Sequence, residues 1–585
     1  MNLNRHILLH LFLLLPLFLG AQEKYTLHVK STQPGKFSFA RIKYQESFNT
    51  PENRKKEINQ LLIRAFEKGF LTAQADSLVY DSTHLRVYID PGDPYILKEL
   101  RPGNVEDYIL RQSGYRKKYF SGNKPFHYPS IATLLRRILR YAENNGHPFA
   151  SIGLDSIRMA SHPDAHGISA ALNLTKNERF FIDSLIIKGD ARINRNYLYN
   201  YLGIKPGDVY NEKRMVRIPQ KLNEMPFVQR VKPHEIAFTP GNATVYIFID
   251  NKRASQFDGI IGIVPNDKTT GKVLLTGDVK LKLLNIFRRG ERIDFNWQKL
   301  EEASQNLSLD FNYPYLFNTP FGVDYRLQLY KKDTSYLNVT NTIGIQYIFY
   351  GYNYVKAFFE NRRSSLISTY GLAFATTLPE YADVSTSFYG LEGNFESLDY
   401  KFNPRRGTVV KLNGAVGEKK IMKNRSVNEA LYDSLDLQTT QYKIEIDAGR
   451  YFPLAKKFTL LLQTRFGYLS SQNLFENELF RLGGLHSLRG FDEEAIPASM
   501  FTIVNTEIRY LFGANSYAVL FWNGALYTKN TMQETIKDKP FGFGAGLNFA
   551  TQAGIFSVSY ALGRQFDNPI DLKNAKIHFG ITATF

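Results

Sequence analysis

The chain has 585 residues, no cysteine, a formal net charge of +18, and aromatics dominated by Phe (44) and Tyr (36). The missing cysteine excludes disulfides, a thiol-linked lipid anchor, thiolate metal sites and cysteine nucleophiles. The basic excess reads as scattered among 55 acidic residues, with no basic stripe and no nucleic-acid motif, so anionic lipid headgroups or sugar phosphates are the expected anions.

The N-terminus, MNLNRHILLHLFLLLPLFLGAQ, has a short basic head at Arg5 and His6, an apolar stretch over Ile7–Leu19 and a small-residue cleavage site at Gly20-Ala21. That pattern predicts a secretory signal over residues 1–21. Beyond it no apolar run approaches the ~18 residues of a spanning helix. Residues 22–253 alternate short helices and strands in three imperfect repeats, with expected limits 22–92, 93–177 and 178–253. In the first, a helix carrying Ile58, Leu61, Leu62, Ala65 and Phe66 stops at Gly69, and a hairpin turns at Asp81-Ser82-Thr83. In the second, IATLLRRILRYAENNG ends at Gly146, and a hairpin turns through Pro163-Asp164. In the third, strand FFIDSLIIKGD leads to helices at Asn196–Leu202 and Val216–Met225, then to strands VQRVKPHEIAF and ATVYIFID. Each unit is expected to cover one sheet face with two helices.

From residue 254 the pattern changes to segments of about ten residues with period two. KPFGFGAGLNFA sets Phe541, Phe543, Ala545, Leu547 and Phe549 against Gly542, Gly544, Gly546 and Asn548, and KIHFGITATF alternates in the same way to Phe585. An apolar face toward lipid and a small or polar face toward a wet lumen identify a transmembrane β-barrel. The expected fold is therefore α+β repeats followed by an all-β barrel over residues 254–585, with about sixteen antiparallel strands.

No HExxH, G-x-S-x-G or phosphate-loop lysine motif is present, and the chain reads as a non-enzyme without metal or cofactor. His162 and His166 in SHPDAHG have ligand-like spacing, but Pro163 and Gly167 make the segment a turn. Asp492-Glu493-Glu494 reads as a solvated acidic loop.

Three α+β repeats, a barrel and the segment GGLHSLRGF together resemble the BamA/TamA superfamily of outer-membrane assembly and translocation barrels, whose periplasmic repeats are called POTRA domains. Three repeats make the chain most similar to the TamA branch. FNPRRGTVVKL (Phe402–Leu412) and the terminal Phe585 add to the resemblance. It implies a loop folded back into the lumen, carrying Gly483, Gly484, Ser487, Arg489, Gly490 and Phe491, whose arginine meets the acid of an F-x-D-x-G strand motif. Here that motif is Phe521-Trp522-Asn523-Gly524-Ala525, with Asn in place of Asp, so Asn523 is the first candidate partner of Arg489 and Glu507, Glu445 and Asp447 are substitutes. A neutral acceptor is worth roughly 1 kcal/mol against the ~1.5–3 of a charged one.

The resemblance further implies a bacterial outer-membrane location with the POTRA units in the periplasm. It implies unfolded outer-membrane or secreted protein clients, a candidate periplasm-spanning partner anchored in the inner membrane, outer-membrane lipid, and no nucleic acid. Clients would leave through a seam between strand Ser255–Pro265, with Gly259 and Gly262, and strand Lys576–Phe585, with Phe579 and Phe585. The alternative is a two-partner secretion transporter exporting one large exoprotein through the pore.

Overall fold

The computed structural model describes residues 24–35, 42–160, 166–265, 273–299, 304–370, 372–400, 403–485, 487–513, 515–551, 554–566 and 568–584. The expected signal segment, His162 with the turn at Pro163-Asp164, and Phe585 lie outside these residues. Two compact units emerge, one comprising residues 1–181, 209–213 and 239–242 and the other the remainder.

In the first unit, strands Tyr25–Ser31 and His84–Asp90 pair in parallel, and Gln74–Asp81 adds antiparallel to the second of them. A parallel pair needs a crossover, and helix Pro51–Glu67 supplies it. Thr50 caps that helix by accepting from the Asn53 amide at 3.3 Å, and Pro51 sits where its missing N–H costs nothing. Ile58, Leu61 and Ala65 bury against Leu27, Leu85, Val87 and Ile89. Among the described residues this repeat has one helix, where two were expected.

The second repeat uses the same plan, with Tyr95–Arg101 parallel to His166–Thr175 and Ser151–Ala160 antiparallel to it. Its helices are Asp107–Gln112 and Tyr128–Glu143, and the shorter was missed because one and a half turns carry little periodicity. Leu97, Leu100, Ile109, Ile131, Leu134, Ile138 and Leu172 form the core. His166 opens a strand and lies 3.4 Å from Asp93. This repeat also corrects the reading of charge. Residues 108–142 hold eight Lys and Arg and no Asp or Glu, and all eight cations are exposed.

In the third repeat, helices Arg195–Leu202 and Glu212–Glu224 bury Leu198, Ile218 and Leu222 against Val245, Ile247 and Ile249 of strand Asn242–Asn251. The single strand expected over VQRVKPHEIAF is two, Val228–Arg230 and Glu235–Thr239, because Pro233 cannot donate to a ladder.

The rest of the second unit is a closed barrel, and among the described residues it has sixteen antiparallel strands. Thr535–Asp538 and Phe541–Ala550 count as one strand interrupted at Lys539-Pro540, since both pair with Tyr517–Asn530. The alternation is plain in that strand: Leu520, Trp522 and Leu526 are exposed on the lipid side, while Val519, Phe521, Asn523, Ala525 and Tyr527 are buried on the other. Ile343, Ile345 and Tyr347, and likewise Phe543 and Leu547, continue the lipid-facing band.

Candidate functional site

The segment between strands Phe458–Ser470 and Met500–Leu511 turns back into the lumen. Its stem is a short hairpin, Phe480–Leu482 against Ile496–Ala498. Leu482, Leu488, Ile496 and Ala498 pack on the inward side chains Phe501, Ile503, Ala525 and Tyr527, with Phe491 against the same cluster. The loop is therefore seated by apolar burial as well as by charge.

Its backbone course depends on glycine. Gly483, Gly484 and Gly490 have φ of +116°, +90° and +96°, a region other residues enter only with strain. The Ser487 hydroxyl donates to the Gly483 carbonyl at 2.7 Å and accepts from the Gly483 amide at 2.8 Å, which closes the turn. Gly490 lies against the backbone of Leu562 and Gly563, and a Cβ on Gly542 would strike the Arg489 carbonyl. Two wall glycines thus let the loop backbone approach strands Phe541–Ala550 and Ile555–Arg564 directly.

Arg489 sits in a nest of acceptors. Its Nε donates to Asn523 Oδ1 at 3.0 Å, and its Nη2 to Asn505 Oδ1 at 2.5 Å and Glu507 Oε1 at 2.9 Å. The Phe521 ring lies 3.8 Å below the guanidinium. Glu507 also takes two bonds from Arg509, at 2.6 and 2.8 Å, and Asn523 donates to Asn505 at 2.8 Å. Of the four sequence candidates, the structure thus brings Asn523 and Glu507 to Arg489. Asp447 instead accepts from Gln463 at 2.7 Å and Arg465 at 3.1 Å, and Glu445 is not among Arg489's partners. Asn505, Arg509 and Gly563 were missed, and Phe521 and Gly542 were read only as a motif residue and a lumen-side glycine, without their contact to Arg489. Period two around Glu507 marks Asn505 and Arg509 as its neighbours on the lumen face, a signal present in the sequence.

Of the acidic triplet, Asp492 is exposed as expected of a solvated loop, whereas Glu493 and Glu494 are half-buried. Glu494 accepts from Arg481 at 3.0 Å and Asn306 at 3.1 Å, and Asp492 pairs with Lys576 at 2.6 Å. Nearer the stem, Glu476-Asn477-Glu478 forms a second anchor. Lys419, fully buried, donates to Glu478 at 2.5 Å, Arg362 donates to the Asn477 and Glu478 carbonyls at 2.8 Å each, and Asn477 reaches Ser364 and the Ala382 carbonyl. Glu380, Glu476 and Glu534 converge closely enough to hold a cation. The Lys529 ammonium already pairs with all three.

The barrel closes between strands Gln256–Pro265 and Lys576–Thr584. That seam has three residue pairs among the described residues, Gln256↔Thr584, Phe257↔Ala583 and Asp258↔Thr582. The same first strand pairs over its whole length, Gln256 to Pro265, with its other neighbour. Gly259 and Gly262 lie just past the paired stretch, and Phe579 pairs with Val558 on the opposite side of its strand.

Among the described residues, then, the chain is a sixteen-stranded barrel with a loop anchored in its lumen, preceded in sequence by three α/β repeats, the class of barrels with POTRA-like repeats. A family model described as the Omp85 superfamily domain matches residues 285–585, just over half the chain, and the chain belongs to the Omp85 superfamily. A POTRA model, described as the surface antigen variable number repeat, matches residues 180–252. Among solved structures, CdiB from Escherichia coli is similar at a TM-score of 0.52 and 14% identity, over 92% of this chain and 99% of that one. CdiB from Acinetobacter baumannii reaches 0.49 at 15% identity, over 91% and 97% of the two chains. BamA from Haemophilus ducreyi lacking POTRA domains 1-3 reaches 0.42 at 13% identity, over 84% and 100%. Likeness at such identities is one of fold. Family members are outer-membrane barrels with periplasmic POTRA domains that act as transporters or insertases rather than enzymes, so the general role is outer-membrane translocation and assembly.

Proposed function

We propose that this chain receives unfolded clients through its POTRA domains and inserts or exports them through a barrel that opens sideways, in the manner of the TamA branch. The observation that carries the reading is the short seam, three pairs among the described residues. The two flanking ladders run longer: the first strand makes ten pairs with Val273–Leu284, and the last makes seven with Ile555–Arg564. Each backbone hydrogen bond contributes about 0.5–1.5 kcal/mol in water and more in lipid, where no solvent replaces it. A seam this short is the least costly place to part the wall, and the edge it exposes can pair with a client strand. Clients on this reading are outer-membrane or secreted proteins, with an inner-membrane-anchored partner spanning the periplasm.

The absence of cysteine makes the test clean. Phe257→Cys with Ala583→Cys places two thiols on facing positions of the seam. Oxidised cells should lose a subset of outer-membrane barrels from the membrane proteome, and reductant should restore them. Undiminished insertion with the disulfide formed would sink the lateral route. Loss of one large exoprotein from the medium, with barrels unchanged, would favour the secretion-transporter reading instead.

A further inference from the structure

At the foot of the barrel, inside the second unit, the third repeat and the first periplasmic turn enclose a cleft of about 250 Å³. Four cations line it: Arg192 ahead of helix Arg195–Leu202, Lys252 and Arg253 in the link to the barrel, and Arg288 in the turn after strand Val273–Leu284. Among the described residues no Asp or Glu lines it, and none of the four cations is in an ion pair. The nearby acids are engaged with backbone amides. Asp190 accepts from Asn251 at 2.7 Å, Asp250 from Asp190 at 3.1 Å, and Glu291 from Arg289 at 3.0 Å.

The walls are built rather than incidental. Asn285 donates to the Arg192 carbonyl at 3.0 Å, the Asn194 amide to the Arg288 carbonyl at 2.7 Å, and the Leu284 amide to Ser255 Oγ at 3.2 Å. Asn285 and Arg288 are held at φ of +58° and +64° to make the turn. On that turn Ile286 and Phe287 are 47% and 61% exposed, which is costly in water and favourable against acyl chains. The turn joins two strands of the lipid-facing wall at its periplasmic rim, where a bilayer places its phosphates.

We infer that this cleft binds a phosphate group, carried by an anionic phospholipid whose acyl chains lie along Ile286 and Phe287. Four converging cations with no competing carboxylate favour a phosphate oxygen cluster over any neutral ligand, and arginine presents the forked donors that match it. A lipid held here bridges the third repeat to the first barrel hairpin, so it steadies the foot of the strand that forms one side of the seam. The inference rests on the outer-membrane placement and not on lateral opening. A chain that moved no client would bind the lipid equally.

The test is native mass spectrometry of the delipidated full chain in neutral detergent, titrated separately with phosphatidylglycerol and inorganic phosphate. The cleft variant carries Arg192→Gln, Lys252→Gln, Arg253→Gln and Arg288→Gln. A charge-matched control carries Arg111→Gln, Arg136→Gln, Arg137→Gln and Arg140→Gln on the second repeat. All eight sites are exposed, and heat-modifiable migration of the folded barrel verifies both variants. The expected result is one tightly held phosphatidylglycerol on the native chain, retained at least tenfold less by the cleft variant and unchanged in the control. Equal retention by the cleft variant, or equal loss in the control, overturns the inference. Binding of inorganic phosphate that needs the same four residues, without lipid retention, would overturn the lipid as its source.

Discussion

The Arg489 nest makes an ordered prediction. Arg489 and Arg509 share the Glu507 carboxylate, at 2.9 and 2.6 Å, and both ion pairs are about nine-tenths withdrawn from solvent. Glu507→Gln keeps the shape but leaves two guanidinium groups facing a neutral amide. Removing one partner of a buried pair costs about 3–5 kcal/mol, chiefly through the charge left uncompensated. Arg489 keeps Asn505, Asn523 and the Phe521 ring, so the lower end, about 3 kcal/mol, applies to seating of the loop. That is roughly a 150-fold shift toward the unseated loop, at tenfold per 1.4 kcal/mol. Arg489→Ala should cost less than Glu507→Gln, because it removes a cation and leaves Glu507 paired with Arg509. Hydrogen exchange over residues 483–495 in nanodiscs reads this directly, since local opening sets the exchange rate there. Glu445→Gln is the control. If Glu507→Gln exchanges like the native chain, or Glu445→Gln accelerates as much, the electrostatic account of the anchor is wrong. If Arg489→Ala is the more severe, the argument from uncompensated charge fails.

Three further outcomes follow from the same geometry. Asn523→Asp should tighten the loop by about 1 kcal/mol, because a neutral acceptor 3.0 Å from Arg489 Nε becomes charged beside two cations and one anion; exchange over 483–495 should slow about fivefold. Gly542→Ala should loosen the loop by about 1–3 kcal/mol without unfolding the barrel, since its methyl meets the Arg489 carbonyl, and trypsin should then cut at Arg489. In the third repeat, burial holds the Lys221 ammonium down at about 8. The folded value lies below the unfolded one, so charging this lysine opposes folding. Stability of that repeat should be flat below about pH 8 and should rise, by roughly 2–4 kcal/mol in all, as pH climbs from there toward about 10.5. Lys221→Met should abolish the rise in urea midpoints followed by helical circular dichroism.

The barrel was legible because lipid on one side and a lumen on the other constrain every second residue, and Leu520, Trp522 and Leu526 state that rule without reference to any partner. The loop was legible by resemblance, and its glycines by their need for positive φ. What the sequence left open is pairing between distant positions. Lys419 and Glu478 are 59 residues apart and Asn338 and Asn477 are 139 apart, and no local period connects them. The Asn523 position shows where reasoning along one strand runs short. Asn at the expected acid position reads as a weakened anchor when the strand is taken alone. The ladder sets Asn523 opposite Asn505 and Phe521 opposite Glu507, so the anion comes from the adjacent strand, one pleat away. The seam makes the same point differently. Gly259 and Gly262 marked the expected seam strand, yet the short closure is a matter of register: Gln256 meets Thr584 near the end of its strand, and the pairing then runs, among the described residues, as far as Asp258. Glycine content is written in one segment. Register belongs to two segments more than 300 residues apart, and the closure of the whole cylinder decides it.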